Sequence, residues 1–247
     1  MNLETLLMDE YERKARLYPA LLLIAPIVGT VFVLLSIEMA IGATILISGG
    51  GAYLLTQLAR DKGKKKEAKL FKEWGGMPSI AVFRHTDNQL DKITKAKYHE
   101  QLTHLVTGTT APTIEQEKAD PSSADENYTA WSSYLRTNTR GEGKNFPLVL
   151  KELINYGYRR NVYGMRPIGI LVSLISLGMC AIRLYFVYRS TSQYDEALIL
   201  AGAFSLVFSV LWIFQFTANW VRIPAVEYAK RLAESVDILA KDQNEDK

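Results

Sequence analysis

Long apolar segments occur in two pairs along the chain, one pair on each side of a polar middle region. The first pair covers Pro19–Ile37 and Ala40–Leu58, and the second covers Pro167–Val187 and Ala197–Trp220. Each segment approaches the ~20 residues that a helix needs to cross ~30 Å of hydrocarbon. Apolar side chains lie on all sides of each predicted helix, as expected for helices surrounded by lipid. The pattern predicts four transmembrane helices arranged as two hairpins.

The polar region between the two hairpins predicts a small, α-rich domain with at most a little strand. Its predicted elements are, in order, a basic helix at Arg60–Lys72, a turn at Trp74–Pro78, a short β-like run at Ser79–Phe83, a helix at Asp91–Val106, an exposed loop at Gly108–Asn127 and helices at Asn127–Thr137 and Phe146–Tyr156. The predicted fold class is therefore an all-α membrane protein. Its predicted parts are an N-terminal cytosolic helix (1–18), the first hairpin (19–58), a basic domain (59–166), the second hairpin (167–220) and a C-terminal amphipathic helix with a tail (221–247).

The C-terminal segment has the apolar spacing of an amphipathic helix. The apolar residues follow each other at alternating steps of four and three, and they are Ala225, Ala229, Leu232, Val236 and Leu239. Two heptads are too short to hold an oligomer alone. This face can align the C-terminal helices of neighbouring copies in an oligomer that membrane helices hold together, or it can pack on the chain's own middle domain.

Basic residues flank the apolar segments on one side of the predicted membrane. The basic flanks are Arg13–Arg16, Arg60–Lys66, Arg159–Arg166 and Arg222–Arg231. The two short connections within the hairpins contain Arg189 as their only basic residue. Because lysine and arginine stay on the cytoplasmic side, both termini and the middle domain are predicted to be cytoplasmic.

Small and polar residues form a stripe on the third predicted span. The stripe comprises Gly169, Ser173, Ser176, Cys180 and Arg183, and the polar residues of the fourth span and its end are Ser205, Ser209, Gln215 and Asn219. Such a stripe either allows another helix to approach closely or lines a wet path through an oligomer. A guanidinium at membrane depth is costly, so Arg183 is expected to snorkel, to pair with Glu38 or Glu196, or to line the outer mouth of a pore.

The middle domain concentrates positive charge together with aromatic side chains. The candidate ligand-binding residues are Lys64, Lys65, Lys66, Lys69, Lys72, Arg84, His85, Lys95, Lys97, His99, Arg159 and Arg160. A basic run directly after a membrane span often contacts anionic lipid headgroups. The alternative is a cytosolic polyanion, a nucleotide or a single-stranded oligonucleotide, whose bases stack on the nearby aromatic rings.

The sequence contains no recognisable catalytic constellation. The three histidines do not have the spacing of a common zinc site, and the single cysteine, Cys180, lies inside an apolar span. That single cysteine also excludes an intramolecular disulfide. Neither a phosphate-binding G-x-x-x-x-G-K-[ST] loop nor a G-x-S-x-G nucleophile elbow occurs. We therefore expect neither an enzyme nor a bound metal or cofactor.

Four motifs carry a resemblance to known proteins. They are W-G-G-M-P at 74–78, R-H-T-D at 84–87, T-K-A-K-Y-H at 94–99 and Y-G-Y-R-R-N-V-Y-G-M-R-P-I-G at 156–169. The chain resembles a group of uncharacterised bacterial inner-membrane proteins with four spans. Its layout is also similar to membrane effectors of bacterial anti-phage systems, in particular the channel of the two-gene Hailong system. That resemblance implies an oligomeric channel whose cytosolic part holds a single-stranded DNA oligomer made by a cognate nucleotidyltransferase.

These observations favour a homo-oligomeric channel or pore of the bacterial inner membrane, with a tetramer favoured, that is gated by a polyanionic ligand. The segment Tyr156–Gly169 would couple the ligand domain to the third span, with Gly157 and Gly164 as hinges. An alternative is a membrane anchor or scaffold that recruits a cytosolic protein partner. A third hypothesis is a membrane-embedded enzyme that acts on lipid or nucleotide, for which His85, Asp87 and His99 are the candidates.

Overall fold

The computed structural model describes residues 10–35, 51–141 and 145–245. Within these ranges the chain is all-helical and contains no β-strand, so the all-α prediction is confirmed. Most of the second predicted span, Ala40–Leu58, lies outside the described residues, and so does the connection at 36–39 with Glu38.

The described residues form ten helical segments. They are α1 (Glu10–Leu34), α2 (Ala52–Glu73), α3 (Pro78–Ala81), α4 (Lys92–Leu105), α5 (Ile114–Ala119), α6 (Pro121–Thr139), α7 (Pro147–Thr191), α8 (Glu196–Gln215), α9 (Ala218–Glu234) and α10 (Val236–Glu245). Both α1 and α8 include a turn of π-helix, at Arg13–Leu17 and Leu211–Gln215 respectively.

Three of these helices, α1, α7 and α8, are long and apolar enough to cross a membrane. They correspond to the first, third and fourth predicted spans. Helix α7 has 45 residues, which makes it about 68 Å long at 1.5 Å per residue. It contains the predicted helix Phe146–Tyr156, the predicted coupling segment and the third span without a break. By their length and composition, these three helices are compatible with a multi-pass membrane protein.

The chain divides into two compact units, which we call the membrane unit and the polar unit. The membrane unit consists of the described residues within 1–67 and 157–221, and the polar unit consists of those within 68–156 and 222–247. In the membrane unit, a buried cluster forms around Leu23, Val162, Met165 and Trp212. In the polar unit, the core is larger and rich in aromatic side chains; it includes Phe83, Tyr98, Tyr128, Trp131, Leu135 and Phe146.

The C-terminal helices complete the core of the polar unit. Ala229, Leu232 and Val236 are buried in the same cluster as the aromatic core residues, and Leu239 packs against it. Of the two roles predicted for the C-terminal apolar face, the structure therefore shows packing on the chain's own polar unit.

Side-chain caps explain where several helices of the polar unit begin. Asp91 accepts hydrogen bonds from the backbone N–H groups of Ile93 and Thr94, and α4 starts at the next residue. Thr113 and Gln116 form a capping box that starts α5. The predicted loop at Gly108–Asn127 is therefore wrong in part, because α5 and the first residues of α6 lie within it.

The predicted β-like run at Ser79–Phe83 is also wrong, because these residues contribute to the short helix α3 and the turn after it. Pro78 occupies the first helical position, where its missing N–H leaves no hydrogen bond unmade. A strand would need a neighbouring strand to satisfy its backbone, and the described residues contain none.

Candidate ligand surface and membrane-helix contacts

The basic stretch of α2 is the most exposed part of the predicted ligand surface. The side chain of Lys64 is 59% exposed and that of Lys69 is 67% exposed. Lys65 and Lys72 are exposed as well, and Lys66 is half-buried. Lys64 forms an ion pair with Glu67, and Lys69 forms one with Glu73. Exposed pairs of this kind are weak, so these ammonium groups remain available to an anionic ligand.

Glu67 connects this exposed stretch to a buried residue of α7. Its carboxylate accepts hydrogen bonds from Lys64 at 2.8 Å and from Arg160 at 2.5 Å. The Arg160 side chain is only 7% exposed. Burial alone would raise the pKa of Glu67, but the two cations outweigh it and the pKa is lowered. Glu67 is therefore a shared anion between a solvent-facing lysine and an enclosed arginine.

Helices α2 and α7 touch backbone to backbone beside this ion pair. A Cβ placed on Gly164 would clash with the backbone N of Gly63 and would lie 2.7 Å from its Cα. The amide oxygen of Asn161 accepts from Arg160, and its nitrogen donates to the carbonyl of Ala15 at 2.7 Å. Because Gly164 has no side chain, the backbone of α7 can pack directly against the backbone of α2, and α7 remains continuous at this position.

Like Gly164, Gly157 lies in close contact with another helix, in this case α1. A Cβ on Gly157 would lie 2.9 Å from the Tyr11 hydroxyl and 3.1 Å from the Cβ of Ala15. Close packing thus explains why glycine occupies positions 157 and 164 of the predicted coupling segment, and the helix that contains them has a proline, Pro167, in its interior. Gly157 and Gly164 both lie where α7 packs closely against another helix, and the hinge role predicted for them stays a prediction.

Arg159 and Arg166, which flank the third span, bind backbone carbonyls of the membrane unit. Arg159 donates to the carbonyl of Trp220 and lies 4.9 Å from the centre of its ring. Arg166 donates to the carbonyls of Trp212 and Ile213. Those carbonyls lie in the π-helical turn, where i to i+4 hydrogen bonding is interrupted and acceptors are left over. Arg159 and Arg160, predicted to bind ligand, therefore have structural partners.

Arg84 is committed to partners within the polar unit. It binds both carboxylate oxygens of Asp125, at 2.8 and 2.6 Å, and the carbonyl of Gly75 at 2.6 Å. The pKa of Arg84 is raised, chiefly by the hydrogen bonds to Asp125. A bidentate ion pair of this kind fixes the orientation of the guanidinium, so Arg84 is held in place and is not free to reach towards a ligand.

Lys95 and Lys97 also have intramolecular partners. The ammonium of Lys95 donates to the carbonyls of Arg84 and Asp87, and its side chain is buried. Burial lowers the pKa of Lys95. Lys97 pairs with Asp237 of α10 at 2.5 Å. Both lysines thus stabilise turns and helix contacts of the polar unit.

His85 and His99 belong to a cluster of rings in the polar unit. The ring centres of His85 and His99 are 5.1 Å apart, and His99 lies 5.0 Å from the ring centre of Trp131. The Nε2 of His99 is 2.8 Å from the carbonyl oxygen of Phe83, and that of His85 is 2.8 Å from the carbonyl oxygen of Pro112. Since a carbonyl only accepts, both Nε2 atoms carry a proton. No group of metal-binding side chains occurs among the described residues.

Glu117 forms hydrogen bonds with two residues of this cluster, although no sequence pattern identified it as a candidate. Its carboxylate accepts from the backbone N–H of His85 at 2.9 Å and from the Tyr128 hydroxyl at 2.7 Å. The pKa of Glu117 is lowered because these hydrogen bonds outweigh its burial. The cluster is therefore a satisfied structural network, with the histidine donors occupied by backbone.

The buried imidazole predicts a pH-dependent stability of the polar unit. Burial lowers the pKa of His99 to about 4, while the unfolded chain binds this proton near pH 6.5. The nearby His85 and Lys95 also oppose its protonation, and Glu117 favours it. The unfolded state binds more protons between these values, so the free energy of unfolding should fall by up to about 3 kcal/mol as the pH drops from 6.5 to 4.

Chemical unfolding at a series of pH values measures this dependence. The variant His99→Gln should lose this part of the pH dependence, whereas His104→Gln, at an exposed position, should retain it. An unchanged slope in His99→Gln would contradict the assignment.

The small-residue stripe of α7 is covered by the chain's own helices. A Cβ on Gly169 would lie 2.7 Å from the Cε3 atom of Trp212. Ser173 and Ser176 are fully buried, and the Cys180 sulfur lies 3.5 Å from the Thr30 hydroxyl of α1. Each stripe serine donates to a carbonyl of its own helix, as Ser205 and Ser209 of α8 also do. This geometry matches the helix-packing alternative.

Arg183, Gln215 and Asn219 are exposed. Arg183 continues the line of the stripe by one step beyond Cys180. It forms no ion pair with the acidic residues that the structure describes, which include Glu196. Gly169, at one end of the stripe, is covered by Trp212, whereas Arg183, at the other end, is accessible.

A comparison of the chain with known protein families, with curated proteins and with solved structures finds no match.

Proposed function

We propose that this chain is a homo-oligomeric channel or pore effector of the bacterial inner membrane, with both termini cytoplasmic, that acts in anti-phage defence. Its gating ligand is a polyanion, a nucleotide or a single-stranded oligonucleotide, that binds the lysines of α2. The observation that carries the proposal is the carboxylate of Glu67, which joins exposed Lys64 to buried Arg160. This carboxylate links the exposed lysine stretch of α2 to a helix that continues into a candidate span.

The shared anion provides a route from ligand to membrane helix. A polyanion that pairs with Lys64 draws this lysine away from Glu67 and leaves the carboxylate to Arg160. Arg160 is part of α7, and α7 continues without a break into a candidate span. The change in charge balance therefore acts on a membrane helix through one ion pair, and it does not require a hinge within α7.

A conducting path would have to lie between copies of the chain. The small-polar stripe is filled by Trp212 and by helix α1. The opposite side of α7 is exposed and apolar, with Leu171, Ile175 and Ile182 at helical spacing. In a homo-oligomer, a tetramer for instance, this side contacts either neighbouring copies or lipid, and Arg183 is an accessible charge near the predicted outer interface.

A membrane-potential dye in bacteria that express the chain tests the channel proposal. We expect depolarisation that depends on ligand and is reduced by Arg183→Ala. The variant with Lys64→Gln, Lys65→Gln and Lys66→Gln should lose oligonucleotide retention and ligand-dependent depolarisation. A matched control changes three other lysines, Lys92, Lys118 and Lys151, to glutamine, since these are exposed. A stable potential under every ligand condition would contradict the channel proposal.

The second candidate function is a membrane anchor or scaffold that recruits a cytosolic protein. It is favoured by the internal packing of the stripe serines, whose hydroxyls are satisfied by their own helices. It is also favoured by the internal partners of Arg84, Lys95 and Arg160. The scaffold predicts no conductance and full tolerance of Arg183→Ala, so the dye measurement separates the two functions.

A further inference from the structure

Helix α1 contains a backbone carbonyl that lacks its regular helical donor. The carbonyl of Ala15 would accept from the N–H group four residues later, but that residue is Pro19, which has no N–H. This break adjoins the π-helical turn at Arg13–Leu17, where the polar start of α1 meets its apolar part. Because Ala15 is fully buried, its carbonyl requires a donor from another part of the protein.

Asn161 of α7 supplies this donor. Its amide nitrogen lies 2.7 Å from the Ala15 carbonyl oxygen, and its amide oxygen accepts from Arg160. The reverse orientation would place the NH2 group of the amide against the Arg160 donors, so the two partners fix the orientation. Asn161 is fully buried, and a Cβ on Gly63 would clash with its amide oxygen. The amide is therefore held in one enclosed position.

Two further polar side chains of α7 bind carbonyls that have lost their regular donors. The carbonyl of Trp220 accepts from Arg159, and it lies four residues before Pro224. Arg166 binds two carbonyls in the π-helical turn of α8, where the following backbone N–H groups bond to other carbonyls. Polar side chains of α7 thus bind the backbone at three helix breaks.

The Asn161 amide also connects the break in α1 to the exposed lysines of α2. Arg160 donates through Nη1 to Glu67 and through Nε and Nη2 to the Asn161 oxygen. Glu67 in turn accepts from exposed Lys64. A continuous series of hydrogen bonds therefore runs from a solvent-facing lysine to the carbonyl at the Pro19 break, and α1 is a candidate membrane span.

We infer that Asn161 is a positioning residue that couples the ligand-binding lysines of α2 to α1, which moves at its Pro19 break when the ligand binds. The inference rests on the proposed function, and it names the helix on which the ligand acts. When a polyanion draws Lys64 away, a bidentate pair between Arg160 and Glu67 becomes the stronger arrangement. The guanidinium then turns away from the asparagine, whose amide no longer holds the carbonyl at the break.

A disulfide between α1 and α7 reports this movement. The Thr30 hydroxyl lies 3.5 Å from the Cys180 sulfur, so Thr30→Cys brings two thiols within reach of each other. The full chain in liposomes is oxidised by copper phenanthroline, with a single-stranded DNA oligonucleotide as the probe ligand. We expect the oligonucleotide to slow disulfide formation roughly fivefold or more, and this effect should disappear when Asn161→Leu is added.

Pro19→Ala provides a second variant, which leaves Asn161 and Arg160 in place. It restores an N–H group at the break, so the Ala15 carbonyl regains its regular donor and no longer depends on Asn161. The effect of the oligonucleotide should be lost in this variant and retained in Pro26→Ala, the matched control in the same helix. Without ligand, Asn161→Leu should lower the unfolding temperature by about 4 °C in the parent chain and much less in the Pro19→Ala background.

Oligonucleotide retention by the parent chain separates this inference from the proposed function. If the oligonucleotide is retained but disulfide formation does not respond to it, the inference is overturned and the proposed function stands. The same holds if Pro19→Ala responds like the parent chain, and this variant decides alone if Asn161→Leu does not fold. An equal cost of Asn161→Leu with proline and with alanine at position 19 would also overturn the inference. A parent chain that retains no oligonucleotide contradicts the proposed ligand and the inference together.

Discussion

Replacing Gly164 with alanine is expected to destabilise the membrane unit by roughly 3 kcal/mol, the upper part of the usual 1–3 kcal/mol range for overpacking, because the added group meets backbone atoms. The added Cβ would lie 2.5 Å from the carbonyl carbon of Lys62 and 2.7 Å from the Cα of Gly63. Both are backbone atoms of α2, so no side chain can rotate out of the way. The helices must separate, which would also strain the ion pair between Arg160 and Glu67 beside them.

Gly178→Ala is the matched control for this change. Gly178 belongs to the same helix α7, but among the described residues no atom outside its chain neighbours and its own helix backbone lies within 4 Å of the position that its Cβ would take. Alanine is the better helix former by about 1 kcal/mol, so this variant should be neutral or slightly more stable. Thermal unfolding in detergent, followed by circular dichroism, compares the two variants. Equal unfolding temperatures would show that α2 and α7 do not meet at Gly164.

Removing the Arg160 guanidinium is expected to have the second large effect. In Arg160→Met, the carboxylate of Glu67, whose side chain is 15% exposed, would lose its enclosed cation and the Asn161 amide oxygen would lose its donor. Breaking a buried ion pair by deleting one partner costs about 3–5 kcal/mol. Lys64→Met removes the other cation of the same carboxylate, but this lysine is 59% exposed, so the expected cost is at most about 1 kcal/mol.

A double-mutant cycle checks the origin of this loss. If the cost of Arg160→Met comes from the stranded Glu67, then adding Glu67→Gln should recover part of the stability. Strict additivity of the two changes would indicate that Arg160 stabilises the unit through Asn161 and not through Glu67. Chemical unfolding of the four proteins at pH 7 provides the comparison.

The sequence predicted the helical elements well where local rules decide them. Apolar segments of span length led to α1, α7 and α8, and the predicted helix Asp91–Val106 differs from α4 by one residue at each end. The loop prediction at Gly108–Asn127 was wrong in part because it rested on the polar composition of the segment. Thr113 and Gln116 have the spacing of a capping box, which is a signal for a helix start that the sequence contains.

The sequence could not show which charged residues have partners within the protein, for a physical reason. A basic residue can bind an external anion or an internal acceptor, and its sequence neighbours do not show which of these is within reach. Lys95 and His99 find carbonyls at the turn around Phe83–Asp87, and Arg160 finds Glu67 across 93 positions of the chain. The π-helical turn that creates the acceptors for Arg166 has no recognised sequence signal.

Ion flux through liposomes that contain the purified chain tests the central claim most directly. A single-stranded DNA oligonucleotide serves as the probe ligand, and a potential-sensitive dye reports the flux. We expect the flux with and without the oligonucleotide to differ at least tenfold, and the variant with glutamine at 64–66 to lose this difference while the variant with glutamine at 92, 118 and 151 retains it. Liposomes that remain impermeable in both conditions, with correctly folded and inserted protein, would contradict the account.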